Sequence, residues 1–126
     1  MLLELTDRVL HGCVIVEVRG EVDYGSAPAL NQCLSAVLAV RAPAVVLDLS
    51  RLTFLDCAAL RVLEAAERRA PAHGTTLVLA APRPTVARAL KITGLDRRFA
   101  VFPTVAKAIT ASRTERTRTG QDQREV

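Results

Sequence analysis

The run Ala44-Val45-Val46-Leu47-Asp48-Leu49 constrains the fold more than any other stretch of this chain. Five of its six residues are apolar, without the polar–apolar alternation of a half-exposed strand. Such a run is expected of a central strand covered on at least one face. Earlier in the chain, Cys13 to Arg19 alternates. Val14, Val16 and Val18 share one face, and Cys13, Ile15, Glu17 and Arg19 share the other, which predicts a strand with one buried face. Leu3 and Leu5 suggest a shorter strand before it, turning back near residues 9–12, and Gly20 to Ser26 breaks the pattern.

Helical spacing fills the intervals between these runs. Ala27, Leu30, Leu34, Val37 and Leu38 recur at 3–4-residue steps, with Pro28 in the first turn and Ser26 or Asp23 available as a cap. Thr53-Phe54-Leu55 reads as the end of a buried strand. From Cys57 to about Ala70, Leu60, Leu63 and Ala66 point inward, and Arg61, Glu64 and Arg68 point outward. His73-Gly74 turns into a strand over 75–80. A short helix follows from Pro82 to about Ile92, with Gly94 at its end, then a strand at 100–102 and a helix over 103–111. Strands and helices in alternation predict a mostly parallel sheet with right-handed crossovers. The expectation is a single α/β domain over residues 1–111, with a sheet of four to five strands and about four helices. Residues 112–126 are almost devoid of apolar side chains and are expected to be a disordered polar tail.

Composition narrows the function. Half of the 126 residues are hydrophobic but only 3% are aromatic, so Leu, Val, Ile and Ala must build the core. The net charge of +4 comes from scattered arginines, several on outer helix faces (Arg61, Arg68, Arg69, Arg88). A basic stripe interleaved with base-stacking aromatics is missing, which argues against nucleic acid as a direct partner. No window approaches the roughly 18 apolar residues of a membrane span, and the amino-terminal residues carry acids early; the chain reads as cytoplasmic. Cys13, Cys33 and Cys57 are odd in number and lack metal-type spacing, so neither disulfides nor a metal site is expected. There is no glycine-rich phosphate loop and no GxSxG elbow. His11 and His73 fall in turns. The pattern predicts neither an enzyme nor a cofactor. The acids that remain are Glu21, Asp23, Asp48 and Asp56. In a sheet of this order the segments 20–26 and 56–59 can lie side by side, and Asp23 and Asp56 can cap the helices that follow them.

Three segments carry a family resemblance. Val18-Arg19-Gly20-Glu21-Val22-Asp23 resembles the strand end "hxGElD" of the STAS domain family. Val46 to Asp56 resembles its core "hhlDlsxlxfiDssGl". Pro84 to Leu90 with Thr93-Gly94-Leu95 resembles "sxxvrrxlxxxGl". The likeness covers roughly residues 3–111 and is greatest to the stand-alone bacterial anti-sigma-factor antagonists. It implies a partner switch. Such antagonists bind an anti-sigma factor, a Ser/Thr kinase of the kinase-like ATPase type, and so free a sigma factor for transcription. The kinase reverses this by phosphorylating a hydroxyl just after the motif Asp, adding about −1.5 to −2 charge to the docking surface.

In this chain Asp56 matches the motif Asp. Cys57 takes the phosphoacceptor position, Ala58 replaces the second hydroxyl residue, and Ala59 replaces the Gly. The resemblance therefore implies a regulatory site without its hydroxyl. It places partner binding on Glu21, Asp23, Ser26, Asp56, Cys57, Ala58, Leu60 and Arg61. It leaves open whether Ser26, Ser50 or Thr53 replaces the lost acceptor, and whether the chain is a homodimer. Alternatives are a STAS scaffold or transporter-associated component, or a thiol switch at Cys57. For Cys57 an inert small hydrophobe, packed like Ala or Val, is the simpler expectation. Cys13 and Cys33 are expected in the core.

Overall fold

The computed structural model describes residues 2–113. The elements follow in the order β1 (Glu4–Leu10), β2 (Cys13–Val22), α1 (Ala27–Ala39), β3 (Ala44–Asp48), β4 (Leu52–Leu55), α2 (Cys57–Arg69), a 3-10 turn (Ala70–His73), β5 (Thr76–Ala80), α3 (Pro84–Ile92), α4 (Leu95–Arg98) and β6 (Val101–Phe102). A last helix, α5, occupies 105–113. Residues 112 and 113 thus continue a helix, and the rest of the expected tail lies outside the described residues.

The sheet runs β1-β2-β3-β5-β6, with β4 beside β2 but off this path. β1 pairs β2 antiparallel as a hairpin, and all the other pairs are parallel. The class is the expected one, with six strands rather than four to five and five α-helices rather than about four among the described residues. The uncounted helix, α4, has only four residues, too few to show a period. β3 is buried along its whole length, as its unbroken apolar run requires. Asp48, 7% exposed at its end, is satisfied locally: its Oδ1 accepts from the Ser50 amide at 3.0 Å.

Two differences from the sequence expectations matter for function. β2 does not have one buried face but two over its first half. Cys13 and Ile15 join Ala44, Val46, Val78 and Ala80 in a second cluster, closed by Ala108 and Ile109 of α5. The other face packs Val14, Val16 and Val18 with α1, α2 and α3 in the main core. Helix α1 buries all five of its predicted apolar positions. The second difference is β4. Thr53 and Phe54 are exposed and Leu55 is half-buried, so this is not the end of a buried strand. Only β2 flanks it, which leaves a surface-facing edge next to the junction with α2.

β2 also runs further than expected, through Gly20 to Val22, by means of a register shift between Gly20 and Glu21. Gly20 has φ +103° and a backbone pressed against the Leu2 carbonyl, a conformation and a proximity that exclude a side chain. Arg69, expected on an outer face, is half-buried. Its guanidinium donates to Ser35 Oγ (3.0 Å) and Asn31 Oδ1 (3.3 Å), tying α2 to α1.

Candidate functional site

The site forms where β2 and β4 end side by side. Val22 pairs with Leu55, and the Asp56 amide donates to the Val22 carbonyl at 3.1 Å. The chain then diverges into two helices: from β2 through the loop 23–26 into α1, and from β4 directly into α2. Asp56 is the N-cap of α2, in extended conformation. Its Oδ1 accepts from the amides of Ala58 (2.9 Å) and Ala59 (3.2 Å), satisfying two donors that a helix start leaves unpaired. Its Oδ2 accepts from the Tyr24 amide at 2.9 Å, 32 residues away in sequence. One carboxylate thus caps a helix and holds the neighbouring loop against it. The capping role is the one expected; the tether to Tyr24 is not visible in the sequence.

Asp23 behaves differently from its expected role. The Ser26 amide (2.9 Å) and hydroxyl (3.0 Å) both donate to its Oδ1, and the Asp23 amide donates back to Ser26 Oγ (2.9 Å). The pair closes the loop on itself. Ser26 occupies the N-cap position of α1 but makes no side-chain cap to the helix. These bonds, the Ser26 amide first and its hydroxyl second, hold the Asp23 carboxyl below its ordinary pKa of 3.8. A depressed folded-state pKa means that the stabilising contribution is complete above the unfolded value and is lost as the pH falls through the folded one. Loop order is therefore expected to weaken below about pH 4. Ser26→Ala should move the Asp23 pKa upward toward the ordinary value, as read by NMR titration of its carboxyl. An unchanged value would show that the hydroxyl bond does not form.

The other expected site residues gather on the same edge. Glu21 pairs with Phe54 across β2 and β4, and Cys57 and Arg61 are exposed on α2. Ala58 and Leu60 are half-buried, packed against the main core. Cys57 departs from the expected buried hydrophobe: as the first residue of α2 it stands at the surface. Cys13 is buried as expected, and Cys33 is half-buried against the main core. Burial, then the negative charge of Asp7, raises the Cys33 pKa and keeps that thiol protonated. Of the alternative hydroxyls, Ser26 is committed to Asp23, and Thr53 Oγ1 donates to the Gly20 carbonyl at 3.0 Å. Ser50 lies in the turn before β4.

Two features escaped the sequence reading. Tyr24 and Phe54 are 84% and 48% exposed, so two of only four aromatic residues stand at the surface around this junction. Large exposed side chains around a fixed polar centre suit a protein contact. The second feature is a cleft of about 290 Å3 beside Cys57, lined by Leu60, Arg61 and Glu64 of α2, and by Thr93 and Leu95 from the α3–α4 joint. Among the described residues no group of three or more His, Cys, Asp or Glu side chains is placed to hold a metal ion, and no helix is long and apolar enough to cross a membrane.

Comparison with known proteins bears on this arrangement. The chain is 29% identical over 103 residues to the anti-sigma-F factor antagonist RsfB of Mycobacterium tuberculosis, covering 82% of this chain and 84% of that protein. The crystal structure of an anti-sigma factor antagonist from Mycobacterium paratuberculosis superposes with a TM-score of 0.80 at 35% identity, over 89% of this chain and 95% of that one. The fold is shared with an anti-sigma-factor antagonist (STAS) domain protein from Planctomyces limnophilus, at TM-score 0.77 and 15% identity, over 86% of this chain and 97% of that one. The STAS domain family model matches residues 4–108, from the start of β1 into α5. With that match spanning nearly all of the described fold, the chain belongs to the STAS domain family.

Proposed function

We propose that this chain is an anti-sigma-factor antagonist: a binding module that engages an anti-sigma factor of the kinase-like ATPase type and thereby frees a sigma factor for transcription. It works in the cytoplasm, by binding rather than by catalysis. The observation that carries this reading is the double role of Asp56. Its carboxylate fixes the first turn of α2 against the loop carrying Asp23 and Tyr24, giving a preorganised surface. A preorganised surface loses less entropy on docking. The relatives named as antagonists of anti-sigma factors support the same partner class. Glu21, Asp23 and Asp56 supply acidic groups, Tyr24 and Phe54 the exposed aromatic area, and Leu60 and Arg61 the flank on α2.

In this reading the junction itself does not switch. Residues 57–59 are Cys-Ala-Ala, so no hydroxyl follows Asp56 in the first turn of α2. A Ser/Thr kinase transfers phosphate to a hydroxyl oxygen, and the Cys57 thiol does not substitute for one. The test is to incubate the purified chain with its kinase-like anti-sigma partner and ATP. Binding should be retained with no phosphate on residues 56–59, while Cys57→Ser should gain phosphate at position 57. Stoichiometric phosphate on residues 56–59 of the unaltered chain would sink the proposal.

A further inference from the structure

One edge of β2 is taken by β1, and the other by β3 and, past its end, β4. β1 is therefore an edge of the sheet, and among the described residues no strand pairs with its outer side. Sheets usually blunt such an edge with proline, lysine, a bulge or a very short strand. β1 has seven residues, ELTDRVL, with no Pro, Gly or Lys, and six of the seven are exposed. It carries Val9, 72% exposed, and Leu10, 39% exposed, with Leu2, 86% exposed, just before it. We propose that a second copy of this chain pairs with β1, antiparallel about a two-fold axis at Thr6, so that the two sheets join into one. This goes beyond the function proposed above and does not rest on it.

The hairpin turn fixes which backbone groups point outward. His11 (φ 54°) and Gly12 (φ 79°) form a two-residue loop with both φ positive, closed by the pair Leu10–Cys13. The closing pair of such a loop is hydrogen-bonded, and bonded and non-bonded pairs then alternate along the ladder. Glu4, Thr6, Arg8 and Leu10 therefore direct their amides and carbonyls to β2. Leu5, Asp7 and Val9 direct theirs to the open edge, with no partner strand to receive them. With the axis at Thr6, Leu5 faces Asp7 of the second copy and Val9 faces its Leu3. Each of these pairs exchanges two backbone bonds across the new seam.

Side chains select the register. A two-fold antiparallel pairing sets one residue against its own copy. With Asp7 or Arg8 at the axis, like charges face each other, which destabilises a strand pair. With Leu5 there, Glu4 faces Thr6 and Arg8 faces Leu2, so neither charge is matched. With Thr6 there, Thr faces Thr, Glu4 faces Arg8 of the second copy, and Arg8 faces its Glu4. These are non-bonded pairs, the closer kind, with about 4.5 Å between Cα atoms. Glu4 and Arg8 are exposed and belong to none of the ion pairs among the described residues. The same register sets Leu2 against Leu10 and Leu3 against Val9, covering all three of the exposed apolar side chains at this edge. Because β4 lies on the other side of β2, the junction at Asp56 stays open in the dimer.

Sedimentation equilibrium of the full chain over a range of concentrations tests this. A single strand pair is a small interface, so a dimer with Kd on the order of 10 μM is expected. Arg8→Glu sets Glu against Glu and should weaken the dimer at least tenfold. Combining it with Glu4→Arg restores both ion pairs with their signs exchanged, and should return the affinity to within about threefold of the unaltered chain. A chain that stays monomeric at about 1 mM overturns the proposal. So does a dimer indifferent to Arg8→Glu, or a loss that the double variant does not rescue. Amide hydrogen exchange on the unaltered chain decides the matter even if the variants do not fold. Between dilute and concentrated samples, the Leu5, Asp7 and Val9 amides should slow at least tenfold, while those of Thr6 and Arg8, already bonded to β2, should change little. Equal exchange of Leu5 and Asp7 at both concentrations would overturn the pairing.

Discussion

Asp56→Ala is expected to lower stability by about 2 kcal/mol and to abolish measurable partner binding, while Asp56→Asn costs less than half as much stability. Alanine removes an N-cap, worth about 1 kcal/mol on its own. It also leaves the Tyr24 amide without the acceptor that holds the loop 23–26 beside α2, so the loss exceeds that of a cap alone. Asparagine retains one carbonyl oxygen and is itself a good N-cap residue, but it cannot accept from all three amides and carries no charge. Urea denaturation reads the stability and calorimetry the affinity. If the alanine variant keeps full affinity, the tether between the loop and α2 does not organise the docking surface.

Gly20→Ala should be the most damaging single-methyl change near the site, costing about 3 kcal/mol. At φ +103° any L side chain is strained, and here a Cβ would meet the Leu2 carbonyl oxygen at 2.2 Å. Backbone rather than a mobile side chain would have to yield. Relief by shifting Gly20 is blocked from the other side. Its amide donates to the Arg51 carbonyl at 3.0 Å, and its carbonyl accepts from Thr53 Oγ1 at 3.0 Å. The start of the chain must therefore peel away from β2, or the register between β2 and β4 must change, and that register aims Asp56 at Tyr24. Gly25→Ala is the control. Its Cβ would meet only Asp23 Oδ1, at an ordinary 3.5 Å, and stability should change by less than about 0.5 kcal/mol. Equal midpoints for the two variants in urea would refute the argument from close approach.

Much of the domain was legible because its signals are local. The apolar run at 44–49 and the 3–4-residue spacing at 27–38 each report burial along a single element, and the structure places them as read. Asp56 was legible as a cap because the amides it accepts from lie two and three residues downstream. What misled was burial contributed by distant segments. Thr53-Phe54-Leu55 has the composition of a buried strand, but β4 lies off the main sheet path and is flanked by β2 alone. Ile15 falls on the strand face opposite Val14, Val16 and Val18, and α5, more than 90 residues later, covers that face.

The same division runs through the site. The sequence alone determined the order of elements, the family motifs, and the absence of a hydroxyl from residues 57–59, since these depend on residue identity and short spacing. Only the tertiary structure decided that Cys57 is exposed, that Asp56 reaches Tyr24, and that Thr93 shares a cleft with Cys57. The last two depend on segments 32 or more residues apart being packed together. Local periodicity carries no record of such pairings, because their geometry is set by strand register and helix packing.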